Sequence, residues 1–222
     1  MTGQDAPRDD NDKERQPEAS AVVVETEDTS AIIRLNRPAE RNPLSVSTLE
    51  ELDRAVSALI TRTSISVIIF TGTRNVFASG ADIRELRALT PTAALEFARR
   101  GQRLMQKISD APQPTIAAVN GYCMGGGLDL ALSCHLRVAS PDAIFAHPGA
   151  RLGIITGWGG TQRLPRLIGT ARALEMFTTG RRLTGSEAYE IGLVNRLGRD
   201  VLECAGEVAR NNPDSHQFFE SY

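Results

Sequence analysis

Two short runs, Ser66–Thr71 and Thr115–Val119, are apolar almost from end to end. Each gives way to small or glycine-rich residues and then to a helical pattern. That alternation constrains the chain most. A short run without a polar face suits a strand covered on both sides, and it is far too short to span a bilayer. Strands alternating with helices build βαβ units on a parallel sheet, so the fold class expected is α/β.

Local signals place the other elements. Ala21–Glu25 and Ala31–Leu35 are β-rich and flank Glu27-Asp28-Thr29-Ser30, a hairpin pattern stopped by Asn36-Arg37-Pro38. Ser47-Thr48-Leu49-Glu50 reads as a capping box, followed by Leu49, Leu52, Val56 and Leu59 at helical spacing. Thr90-Pro91 opens a long helix reaching about Asp110, and Pro112 and Pro114 end it. His135–Ala139 and Ala143–Ala146 are further short strands, and a helix follows Gly157-Trp158-Gly159-Gly160. Thr184-Gly185-Ser186-Glu187 is a second capping box, and Val201–Arg210 a last, weaker helix. No internal repeat is visible. The organisation expected is a polar disordered tail over 1–20, a core domain over 21–199, and a short C-terminal helix and tail over 200–222.

Composition narrows the function classes. The chain has 222 residues and a net charge of −2, so nothing in its balance points to nucleic acid or an anionic membrane. Arg99, Arg103 and Lys107 share one helix face, and a solvated face is the expected reading. Cys123, Cys134 and Cys204 fit neither a zinc site nor a CxxC motif; buried, reduced thiols in a cytoplasmic protein are expected. The start of the chain has no apolar signal core, and its acidic residues argue against a transit peptide.

The chemistry concentrates where Asn120-Gly121-Tyr122-Cys123-Met124-Gly125-Gly126-Gly127 leads from a strand into an apolar helix beginning about Leu128. Glycines there expose backbone N–H groups, and the helix dipole adds positive potential, so the place favours an anion. It is neither GxxxxGK[ST] nor GxGxxG, which leaves an oxyanion site or a plain tight turn. Ser79-Gly80-Ala81-Asp82 also opens a helix after a strand. Two such loops can give one N–H each to a single oxygen, the arrangement that thioester enolates and tetrahedral oxyanions need.

Seven segments together resemble the crotonase superfamily, the enoyl-CoA hydratase/isomerase family. They are Asn36-Arg37-Pro38, Phe77–Ile83, Ala117–Tyr122, Gly125–Gly127, Leu152-Gly153, Gly157–Pro165 and Gly192–Val194, in order and at family spacing from about residue 22 to 200. The resemblance implies a ββα spiral core, a homotrimer or hexamer, and an acyl-CoA thioester substrate within fatty-acid metabolism. It implies no metal and no cofactor, CoA being part of the substrate. Ala81 and Gly126 match the positions whose N–H groups hold the thioester oxygen. Ala81, Asp82, Ile83 and Arg84, with Gly125 and Gly126, match the substrate-binding stretches. Arg84 is a candidate for a phosphate contact or a solvated cation. In the family the domain usually runs further past the position of Arg210, so a short form is expected to affect the pocket lid and the subunit contacts.

The catalytic pair departs from the family pattern. One glutamate of the hydratases falls at Asp129, a shorter carboxylic acid, and the second falls at Gly149, within Phe145-Ala146-His147-Pro148-Gly149. Asp129 is then the remaining acid–base candidate. The expected activity is hydratase-type with an altered pair. The alternatives are another crotonase chemistry, decarboxylation or thioester hydrolysis, or acyl-CoA binding without catalysis. His147, on the same side of a strand as Gly149 if the strand continues, is a candidate replacement base or a structural histidine. Trp158 is a packing residue or a ligand contact, and Asp82 and Asp142 read as cap and turn residues.

Overall fold

The computed structural model describes residues 20–210; the tail expected over 1–20 (Ser20 apart) and residues 211–222 lie outside them. The first hairpin forms as the alternation requires: β1 (Val22–Glu27) pairs antiparallel with β2 (Ser30–Leu35). A 3-10 turn at Pro38–Glu40 leads to β3 (Pro43–Leu44) and α1 (Val46–Ile60). The cap of α1 is Ser45, whose side chain accepts from the Thr48 amide, and not Ser47 as the sequence suggested. The reason lies outside the helix. β3 is tied to β6 (Gly80–Ala81), which fixes the chain just before Val46, and Glu50 pairs with Arg100 across to the next long helix. Leu49, Leu52, Val56 and Leu59 are buried as expected, each worth roughly 1.5–3 kcal/mol of hydrophobic transfer.

The rest of the chain repeats one path. β4 (Val67–Thr71), β7 (Thr115–Val119) and β9 (Leu136–Ala139) lie in one six-stranded sheet of order β1-β2-β4-β7-β9-β12. Each is followed by a short strand that turns out of it: β5 (Val76–Ala78), β8 (Tyr122–Met124) and β10 (Ile144–Ala146). These three, with β11 (Leu183–Thr184), make a four-stranded sheet of order β11-β10-β8-β5. The intervening helices are α2 (Ile83–Ala88), α3 (Pro91–Ser109) and α4 (Gly126–Ser133). After a 3-10 turn at Pro148–Leu152 come α5 (Gly160–Ile168), α6 (Thr170–Thr179) and α7 (Gly185–Glu190). β12 (Arg196–Leu197) and α8 (Val201–Arg210) complete the described chain. This is the ββα spiral. The backbone path repeats while the side chains differ, so the sequence carries no visible internal repeat.

Strand burial on both faces has a visible cause. In β4 and β7, Ile68, Phe70, Ala117 and Val119 point into the main core with α1, α3 and α4. Val67, Ile69, Ile116 and Ala118 point the other way, under Val201, Cys204 and Ala205 of α8. The helix read as weak therefore covers the outer sheet face. Thr90 caps α3 and Thr184 closes a complete capping box on α7, as predicted. All three cysteines are free and buried. On the basic face of α3, Arg103 pairs with Glu96 and Lys107 with Asp53. None of the described helices is long and apolar enough to cross a membrane.

Candidate active site

The spiral brings the starts of two helices together. Gly80 has φ +96°, and a Cβ there would lie 2.8 Å from the Met124 carbonyl oxygen and 3.0 Å from the Gly126 nitrogen. Only a glycine permits that approach, and it sets the Gly80-Ala81 backbone against the first turn of α4. The glycine loop is shorter than the sequence implied, because Tyr122–Met124 is itself strand β8 and α4 already begins at Gly126. Gly126 therefore occupies the first helical position, where the N–H has no carbonyl one turn earlier to bond.

Ala81 and Gly126 line one cavity of about 280 Å³, with Ile83, Gly125, Asp129, His147 and Gly149. Its remaining wall is largely apolar: Leu86, Leu89, Phe97, Ile154, Ile155 and Phe177. Asp82 and Arg84 do not line it. Asp82 caps α2 through the Arg84 amide and holds the Arg84 guanidinium at 2.8 Å, with Glu40 at 3.4 Å on the same group. The cap reading of Asp82 is thus what the structure shows, and the charge of Arg84 is already countered at the surface. Trp158 is 4% exposed and packs on Phe97 at 5.3 Å between ring centroids, while also forming part of the cavity wall.

Asp129 lies one turn into α4 and is 1% exposed. Its Oδ2 accepts from the Thr156 hydroxyl, and its Oδ1 lies 3.5 Å from His147 Nε2. Burial raises its pKa to about 7, against the pull of the Thr156 hydroxyl, the Trp158 amide and the positive charge of Arg163. Burial also pushes His147 down to about 4, leaving a neutral imidazole at pH 7. The strand that was to carry both His147 and Gly149 does not persist. β10 ends at Ala146 and Pro148 opens a 3-10 turn, so the two are not alternate strand positions. The His147 ring instead packs on Phe177 at 5.1 Å and turns towards Asp129.

Thr156 and Gly160 were not singled out from the sequence. A Cβ on Gly160 would meet Asp129 Oδ1 at 2.2 Å and His147 Nε2 at 3.2 Å, so this glycine makes room for the pair. The only sequence signal for it was the Gly157–Gly160 motif, read there for the helix that follows. Asp142 takes its place in the turn after β9, its amide donating to Ser140 Oγ.

A spiral α/β core that sets Ala81, Gly126 and the buried Asp129 on one mainly apolar cavity has the architecture of the crotonase superfamily. The enoyl-CoA hydratase/isomerase family model matches residues 25–221. The crotonyl-CoA hydratase of Syntrophomonas wolfei is 40% identical over 194 residues, 84% of this chain and 75% of that protein. The short-chain-enoyl-CoA hydratase of Clostridium acetobutylicum is 35% identical over 195 residues, 86% of this chain and 75% of its own length. The crystal structure of an enoyl-CoA hydratase from Bacillus anthracis matches with a TM-score of 0.83 at 36% identity, covering 86% of this chain and 76% of that one. The chain belongs to the enoyl-CoA hydratase/isomerase family, and is a hydratase-type enzyme.

Proposed function

We propose that this enzyme adds water to an enoyl-CoA thioester with Asp129 as its single acid–base group. The thioester oxygen accepts from the N–H groups of Ala81 and Gly126, which stabilise the charge that develops there. Asp129 takes a proton from water as the water oxygen bonds to Cβ, and the π-electron pair moves through Cα to the thioester oxygen. The enolate then collapses and Cα takes the proton back from Asp129. Water is added across the double bond, and the carboxylate is regenerated. One observation carries the reading: a carboxyl held near 7 by burial on the same cavity as Ala81 and Gly126. A group titrating near the working pH exchanges a proton in both directions at least free-energy cost.

The apolar wall of Leu86, Leu89, Phe97 and Ile154 suits an acyl chain. We propose a homotrimer as well, supported by the family and by Leu167 and Leu174, exposed at 38% and 58% away from the cavity.

The test is crotonyl-CoA with the purified chain, followed by loss of the conjugated-thioester absorbance and by product mass, beside Asp129→Asn. Turnover lost in the variant supports the reading; an inert parent chain overturns it. Gly149 favours a second reading, since it leaves no second carboxyl. Decarboxylation of a malonyl-type thioester, or hydrolysis of a 3-hydroxyacyl thioester, uses the same oxyanion donors with less proton handling. Those esters belong in the same panel, and their turnover with crotonyl-CoA inert selects this reading. Calorimetric acyl-CoA binding without any turnover selects a binding protein.

A further inference from the structure

Among the described residues, three buried side-chain polar atoms have no hydrogen-bond partner: Gln113 Oε1, Asp129 Oδ1 and His147 Nε2. The last two face each other at 3.5 Å. Leaving a buried donor or acceptor unpaired is unfavourable, and native proteins keep few such atoms. The gap exceeds an ordinary N–H···O bond, about 2.9 Å, by roughly 0.6 Å. One proton between the two atoms satisfies both; two lone pairs face to face satisfy neither. Phe177 flanks the imidazole ring, and Gly160 keeps side-chain atoms from wedging between the partners.

We infer that Asp129 and His147 form one hydrogen-bonded dyad, in which neutral His147 donates its Nε2–H to Asp129 Oδ1 and so fixes the carboxyl for its work at the cavity. His147 is a positioning residue acting through Asp129. It gains and loses no proton in the reaction, and it supplies the orientation that a second carboxyl at Gly149 does not. The inference rests on Asp129 being the acid–base group of the proposed hydration. Burial keeps His147 neutral, so its N–H is available at pH 7. The other groups facing the pair are Arg163 of α5, which favours the carboxylate, and Cys123 of β8, a buried thiol whose pKa is raised by burial and by Asp129. Thr156 holds Oδ2, the Trp158 amide adds its pull on the carboxyl, and α6 presents the Phe177 ring.

Nuclear magnetic resonance of the full chain, labelled with 15N in histidine and 13C in aspartate, tests the dyad without turnover. Near pH 9, where Asp129 is ionised, His147 is expected as the Nε2–H tautomer; an Nδ1–H tautomer overturns the inference. In His147→Leu the Asp129 carboxyl is expected to titrate about one unit higher or more, because the charged form loses a donor. His147→Gln keeps an N–H donor and is expected to bring the value back to within about half a unit. An unmoved Asp129 in the Leu variant, or a Gln variant that titrates like Leu, also overturns it. Where His147→Leu does not fold, the tautomer in the unaltered chain decides. A chain that fails to hydrate crotonyl-CoA still gives all of these readings, so loss of the proposed reaction and loss of the dyad are told apart.

Discussion

Gly160→Ala sets local propensity against site geometry. Gly160 is the first residue of α5 and its φ is not positive, so alanine is allowed there by the backbone. On propensity alone the change favours the helix by up to about 1 kcal/mol. The added Cβ, however, would stand 2.2 Å from Asp129 Oδ1 and 2.8 Å from Thr156 Cγ2. Moving Oδ1 from 2.2 Å to an ordinary 3.4 Å contact requires roughly 1.2 Å of displacement. A misplacement of about 1 Å in a reacting group can lower a rate by about 10²-fold. The overpacking itself costs about 1–3 kcal/mol, which the propensity gain partly offsets. The expected outcome is a kcat/KM for crotonyl-CoA hydration reduced by about 10²-fold or more. Thermal melting should fall by no more than about 12 °C, taking up to ~3 kcal/mol at ~2–4 °C per kcal/mol. Initial rates and a melt of the same preparation check both. Activity within about threefold of the parent, in a chain that melts normally, would refute the argument that this glycine reserves the carboxyl's position.

Three other outcomes follow from the same geometry. Asp129→Asn is expected to lose at least ~10²-fold of the hydration rate and yet to be the more stable chain above pH 7. The native carboxyl titrates at about 7 against 3.8 unfolded. The folded chain therefore holds the extra proton between those values, and stability declines as pH rises through them, by up to about 4 kcal/mol. His147, lowered from 6.5 to about 4, has the opposite slope, contributing stability above 6.5 that is lost as pH falls. Urea unfolding of both chains near pH 4 and 8 should thus show the Asn advantage only at the higher pH; an equal advantage at both would sink the burial argument. Gly149→Glu is expected to lower the melting temperature without raising the rate, because a Cβ there would lie 2.5 Å from the Ile154 carbonyl oxygen; a tenfold faster, equally stable chain would contradict this. Thr156→Val removes the donor to Oδ2, so the rising limb of kcat/KM against pH should move upward; a limb that stays put would show that this hydroxyl does not hold the carboxylate.

Much of the fold was legible because strands without a polar face and capped helices are local signals. Ser66–Thr71 and Thr115–Val119 could be read as covered strands since both faces had to be apolar, whichever element covered them. What covers the outer face, α8, was not legible. Its Val201, Cys204 and Ala205 acquire meaning only against Val67 and Ile116, far away in sequence. The first cap was misplaced for the same reason. Ser45 and Ser47 are both competent caps, and the choice falls to Ser45 through the β3–β6 pairing. The repeat stayed hidden because it lies in the backbone: the three β–β steps share a path and almost no side chains.

The site divides along the same line. The family resemblance points to Ala81 and Gly126 as donors, and both lie in small-residue loops of the kind that expose main-chain N–H groups. Asp129 is a candidate because the family pattern places a carboxylic acid two positions after the glycines. Thr156, Gly160 and the facing of His147 towards Asp129 had no such trace, since each depends on where the segment after β10 folds back. That segment closes on itself: the Ile154 amide donates to the Gly149 carbonyl at 3.1 Å. A side chain at position 149 would meet main chain, and the Asp129 carboxyl is enclosed by a hydroxyl, an imidazole and a glycine. A carboxyl at position 149 would therefore have to displace that turn, which is why Gly149→Glu is expected to cost stability while Thr156 and His147 stay where they are.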